Sequence, residues 1–135
     1  MANFLTFASP NAFTIATSTS EKLWNGTLYY STDASTWNAW DGTTVLSSAD
    51  HEGEQRIYMR GSGNSYVTGG SGSRRWSLNG SDIRCYGNIE NLLDFETVAN
   101  GGHPTMASYC YDNMFTNCKS LTVAPELPAT TLTED

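Results

Sequence analysis

The chain has 135 residues, of which 39% are hydrophobic and 12% aromatic; this is enough for one ordinary domain with a real core, and too much aromatic surface for a disordered segment. Seven Lys and Arg stand against fourteen Asp and Glu, a formal charge of −7, which works against binding the phosphates of nucleic acid or docking on an anionic membrane. No apolar run approaches the ~20 residues a membrane span needs, Met1 to Phe7 have neither the basic nor the long apolar region of a secretory signal, and three cysteines without Cys-x-x-Cys, with two histidines, predict neither a closed disulfide framework nor a structural zinc site.

Residues 1–86 read as short strands separated by turn residues. Phe4-Leu5-Thr6-Phe7 is the first strand, and Pro10-Asn11 breaks it. Ala12 to Ala16 alternates with period two, placing Phe13 and Ile15 on one face. Asn25-Gly26 is a turn pair, and Thr27-Leu28-Tyr29-Tyr30-Ser31 follows as a β-branched and aromatic strand. Asp33-Ala34-Ser35 turns the chain into Thr36-Trp37-Asn38-Ala39-Trp40, and Asp41-Gly42 turns it again into Thr43-Thr44-Val45-Leu46. Gln55 to Gly61 puts Ile57 and Met59 on one face and Arg56, Tyr58 and Arg60 on the other. Gly61 to Gly72, rich in Gly and Ser, is expected to be a mobile hairpin tip around Tyr66-Val67. Trp76 and Leu78 share a face, Asn79-Gly80 turns, and Asp82 to Tyr86 is a last strand. Such closely spaced strands predict an antiparallel sandwich or open barrel. Asn88 is placed to cap a short helix over Ile89 to Phe95, stopped by Gly101-Gly102 and Pro104.

Few residues carry chemistry. Ser31-Thr32-Asp33-Ala34-Ser35-Thr36-Trp37 is similar to the Asp-box hairpin, one residue short and with Ser for Gly, and Asp33 is expected to brace the turn. Asp50-His51-Glu52-Gly53-Glu54 offers oxygens and an imidazole without EF-hand spacing, and reads as a solvated turn. Neither His51 nor His103 accompanies a Gly-x-Ser-x-Gly elbow, and Cys110 and Cys118 have no evident base. No catalytic residue, metal ligand or cofactor is assigned, and an enzyme is not expected. The aromatics Trp24, Trp37, Trp40, Trp76, Tyr29, Tyr30, Tyr58 and Tyr66 either fill the core or stack on sugar rings. Alternation separates Trp37 from Trp40 and Tyr29 from Tyr30, so one of each pair faces away from the core. Trp40, Tyr30, Tyr58 and Tyr66 are the expected glycan- or partner-binding residues. Asn25-Gly26-Thr27 and Asn79-Gly80-Ser81 match glycosylation sequons and are read as turns.

Past residue 87 the texture changes. Phe115, Cys118, Leu121 and Ala124 recur every third residue, which fits one coil of a solenoid better than a strand or long helix. Cys85-Tyr86 and Cys110-Tyr111 lie 25 residues apart, within the roughly 20–29-residue period of leucine-rich repeats. The segment from Tyr109 to Leu132, with Phe115, Cys118, Leu121, Leu127, Pro128 and Leu132 in the pattern Phe-x-x-Cys-x-x-Leu followed by Leu-Pro and an aliphatic, resembles one unit of the BspA-type leucine-rich repeats. It is most similar to the Met-Phe-x-x-Cys-x-Ser-Leu-x-x-Ala-Pro-x-Leu-Pro variant of gut bacterial surface proteins and of their phages. The resemblance implies a repeat core of Phe115, Cys118, Leu121, Leu127 and Leu132 that is structural and chemically inert. A solenoid needs about three stacked units, so further repeats, copies of this chain in a homo-oligomer, or the β-domain itself are expected to cover the coil.

The fold class expected is therefore mainly β: an immunoglobulin-like β-sandwich over 1–86, then over 87–135 a short helical cap and one leucine-rich-repeat-like coil. The function expected is a non-enzymatic structural or adhesive module on a virion or bacterial cell surface. Its expected partners are proteins of that assembly or a host-surface glycan or protein, with no nucleic acid and no membrane insertion. The alternative is a carbohydrate-binding module using the exposed aromatics of the sandwich.

Overall fold

The longest strand grows from the clearest alternation in the sequence. In the computed structural model, which describes residues 4–17, 23–67, 76–102 and 121–123, β7 (Glu54–Ser62) buries Ile57 and Met59 on one side and turns Arg56 and Arg60 to the other. Around it lie β1 (Leu5–Ser9), β2 (Thr14–Thr17), β3 (Thr27–Ser31), β4 (Asn38–Ala39), β5 (Leu46–Ser47), β6 (Ala49–His51), β8 (Trp76–Asn79), β9 (Ile83–Tyr86), the helix α1 (Asn91–Ala99) and β10 (Leu121–Val123). The chain is mainly β. A seven-stranded sheet runs β10-β9-β1-β7-β3-β4, with β6 also paired to β7, and a three-stranded sheet runs β5-β2-β8. Pairing is antiparallel throughout except between β9 and β10, which are parallel.

The two sheets face each other across one core. The larger sheet contributes Leu5, Phe7, Leu28, Ile57, Met59, Ile83 and Cys85, and the smaller contributes Ile15, Leu46, Trp76 and Leu78. Each such aliphatic or aromatic side chain, fully buried, contributes roughly 1.5–3 kcal/mol of transfer free energy. Phe13, Trp24 and Trp40 fill the space between, where the Trp24–Trp40 and Trp40–Trp76 ring centroids are 5.1 and 5.5 Å apart. Ile89, Leu92 and Leu93 belong to the same core, so the start of α1 closes the sandwich and has no apolar centre of its own.

Several details differ from the sequence reading. The Asp50–Glu54 stretch is the end of β6 and a tight hairpin into β7, with His51 opposite Glu54 and with Glu52 (φ 56°) and Gly53 (φ 91°) both in left-handed backbone. Two successive positive φ values are what a two-residue turn between twisted strands requires. Thr43 and Thr44 are not strand residues, because Asp41 Oδ1 accepts from both of their backbone N–H groups at 2.8 Å. The helix begins two residues later than expected. Asn88 Oδ1 accepts from Glu90 N–H at 2.9 Å and so braces the turn before α1, while the helix continues to Ala99 across a kink at Asp94. The described part of the Gly61–Gly72 stretch is anchored: Gly61 is within β7 and Val67 is fully buried. Gly26 is needed for close approach, since a Cβ there would lie 2.4 Å from the Ser62 carbonyl oxygen. His103, Cys110, Phe115, Cys118, Leu127 and Leu132 fall outside the described residues, and Leu121 opens β10.

Candidate binding face on the larger sheet

The outward side of the larger sheet carries a strip of cations and aromatic rings. Register builds it. Ala8 on β1 lies between Arg56 on β7 and Arg84 on β9, and Thr6 lies between Tyr58 and Tyr86. Tyr29 on β3 lies opposite Arg60, and Ser31 opposite Tyr58. Small residues on the central strand let long neighbours close over them, which is how Ala8 and Thr6 are buried on an outward side.

One end of the strip is closed by its own chemistry. Glu54 accepts from Arg56 Nε at 3.2 Å and Nη2 at 2.9 Å, and its other oxygen pairs with Arg84. Hydrogen bonding from Arg56, then the charge and hydrogen bond of Arg84, hold the Glu54 carboxyl below its ordinary range. Arg56 Nη1 also donates to the Tyr58 hydroxyl at 2.9 Å, and that oxygen lies 2.7 Å from His51 Nδ1. The Tyr58 hydrogen bond, then that of Glu54, push the Arg56 guanidinium above its usual value. Both Glu54 oxygens and the Tyr58 hydroxyl are thus engaged within the network.

The other end is different. Arg60 Cζ lies 4.2 Å from the centre of the Trp37 ring and 4.2 Å from that of Phe95. Trp37 in turn meets Phe4 (5.6 Å), and Phe4 meets Tyr58 edge-on (5.2 Å). Both rings flanking Arg60 attract its charge, yet no carboxylate pairs with it among the described residues, and its Nε is buried without a hydrogen-bond partner. All three arginines among the described residues therefore sit on this one side, and only Arg60 has no anion.

The expected binding aromatics are mostly elsewhere. Trp40 is 3% exposed, stacked between Trp24 and Trp76, with its indole N–H donating to the Thr44 carbonyl at 2.8 Å. It is a core residue and offers no surface to a sugar. Tyr58 faces outward but is 4% exposed, covered by Phe4 and His51. Tyr30 lies opposite Met59 and packs against the core. Tyr66 is half-buried beyond the end of β7. Of the two split pairs, Tyr29 and Trp37 are the outward members. Deciding this needed the strand order, which alternation alone does not supply. Arg60 and Phe95 carried no sequence signal for each other, being brought together only by the return of α1 onto β7.

Other candidates resolve locally. Asp33 Oδ1 accepts from the N–H of Thr36 (2.8 Å) and Ser35 (2.9 Å) and from the Ser31 hydroxyl (2.9 Å), which is the turn bracing expected of it. The Cys85 thiol is buried and its ionisation pushed upward by desolvation, so it is unreactive. No cluster of three metal-ligating side chains occurs among the described residues. No helix among the described residues is long and apolar enough to cross a membrane. No protein-family model matches the chain, and neither a curated protein nor a solved structure matches it.

Proposed function

We propose that this chain is a non-enzymatic structural or adhesive module displayed on a virion or bacterial cell surface, in which an immunoglobulin-like sandwich seats the first coil of a leucine-rich-type solenoid. The observation that carries the reading is the parallel pairing of β10 with β9, Leu121 opposite Ile83 and Val123 opposite Arg84. A parallel neighbour requires a crossover connection, and here the crossover contains α1. Solenoids grow by adding parallel strands, one per repeat, to the edge of the preceding one. Leu121-Thr122-Val123 comes from the stretch that resembles a repeat unit, and it extends the sandwich's own sheet at its β9 edge. Such an arrangement is extendable at its sheet edge, which suits attachment.

Surface display is tested by antibody labelling. Antibodies raised against the folded protein label intact virions or cells of the source before lysis; labelling only after lysis overturns the reading. The seating of the coil is tested with Val123→Pro, which removes a strand N–H. Hydrogen exchange at Ile83–Tyr86 speeds up in that variant while β2 and β8 keep their protection. Unchanged exchange in β9 counts against the coil.

A further inference from the structure

We infer that Arg60 is the anion-binding centre of a glycan site on the outward side of the larger sheet, and that its ligand is a sugar bearing a single carboxylate, such as a terminal sialic acid or a uronic acid. The inference rests on the adhesive reading above and names the partner class that reading leaves open.

Arg60 is unusual in its company. The chain has twice as many acids as bases, yet none of the described acids pairs with Arg60, while Arg56 and Arg84 share Glu54. Trp37 and Phe95 both lie against the guanidinium, each ring centre 4.2 Å from Cζ. Nε is buried, and no described group bonds the terminal Nη1 and Nη2 donors; that terminal pair matches a carboxylate in a bidentate geometry. The rings also fix the fork before any ligand arrives, so little side-chain entropy is lost on binding. Tyr29, directly opposite Arg60 in register and partly buried, adds a ring and a phenol beside the charge.

Charge and surface together select the class. A chain of net −7 repels a polyanion, so one guanidinium favours a singly charged group over heparin-like or nucleic-acid ligands. A protein partner needs an apolar centre in an interface of roughly 800 Å² per side. The only large hydrophobics exposed among the described residues are Val45 and Tyr86, which do not provide one. A sugar acid asks for a cation, a ring edge and hydroxyl partners, and the Arg60 neighbourhood holds these.

The test is titration of the whole chain with sialyllactose, with glucuronic acid, with neutral lactose and with a heparin tetrasaccharide, read by isothermal calorimetry and by the arginine side-chain N–H signals in NMR. One of the two sugar acids is expected to bind at millimolar or tighter affinity, weakening as salt rises, and to move the Arg60 signal while those of Arg56 and Arg84 stay. Arg60→Gln is expected to lower that affinity roughly tenfold or more, with Arg60→Lys intermediate. The NMR arm uses the native protein, so it stands even where a variant folds poorly. Four outcomes each overturn the inference: no binding of either sugar acid at about 10 mM, equal binding of lactose, binding of heparin alone, or binding that leaves the Arg60 signal unmoved. None of these touches the labelling result above, so the two proposals fail separately.

Discussion

Asn64 shows how much one side chain can hold. Its Oδ1 accepts from Gly26 N–H at 2.6 Å, and its Nδ2 donates to the carbonyls of Thr27 (2.8 Å) and Leu92 (3.0 Å). It thereby joins the start of β3, the end of β7 and the first turn of α1, and it is buried. Asn64→Ala leaves these backbone groups without a partner and is expected to cost about 2–4 kcal/mol, seen as a lower urea midpoint at unchanged slope. Asp33 and Asp41 act at the surface instead. The N–H groups of Thr36 and Ser35 and the Ser31 hydroxyl lower Asp33 from 3.8 to about 2, and those of Thr44 and Thr43 with the Thr44 hydroxyl do the same for Asp41. A carboxyl that ionises more easily when folded binds fewer protons than in the unfolded chain, so its stabilisation is complete above pH 3.8 and is lost as pH falls towards about 2. Asp33→Asn and Asp41→Asn together should flatten the dependence of thermal stability on pH across that window and leave the neutral-side slope unchanged. The bracing role of Asp33 was legible because an Asp two and three residues before free N–H groups is a local pattern. Asn64 was not legible, since its partners are 28, 37 and 38 residues away.

At the scale of elements, the contact between β7 and α1 carries the most consequence. Gly61 lets the helix approach so closely that a Cβ there would lie 1.9 Å from the Leu92 carbonyl oxygen. Gly61→Ala must push α1 away, which typically costs about 1–3 kcal/mol. The expected signs are a lower melting temperature and exchange of the α1 amides that speeds up more than that of the β2 and β8 amides. Displacing α1 also moves Phe95 from Arg60, so the same variant should weaken any ligand bound by that guanidinium. Sequence reading found β7 because Ile57 and Met59 alternate with Arg56, Tyr58 and Arg60 over an uninterrupted run. It missed β6, a three-residue strand whose charged residues resemble a loop and which exists by pairing with β7. It placed the start of α1 too early because Ile89 is apolar and buried like a helical residue while belonging to the turn that Asn88 braces.

For the molecule as a whole, one core spanning both sheets and the helix implies one unfolding transition. Tryptophan fluorescence reports Trp24, Trp40 and Trp76 between the sheets, and far-ultraviolet dichroism reports α1 and the strands. The two are expected to give coincident curves with denaturant, and Leu92→Ala, in the helix, should shift both by the same amount, about 2–5 kcal/mol. Separate transitions would mean that the cap folds apart from the sandwich. The amino-acid sequence determined the mainly β character, the shared faces of Phe13 with Ile15, Ile57 with Met59 and Trp76 with Leu78, and the turns at Asp33 and Asp41, because strand periodicity and turn chemistry act over a few residues. Only the tertiary structure decided which of Trp37 and Trp40, and which of Tyr29 and Tyr30, faces outward. It also decided that Arg60 lies against both Trp37 and Phe95, and that β10 runs beside β9. Those depend on which strands become neighbours, and that choice is made by the joint burial of apolar surface far apart in the chain, for which no local pattern stands in.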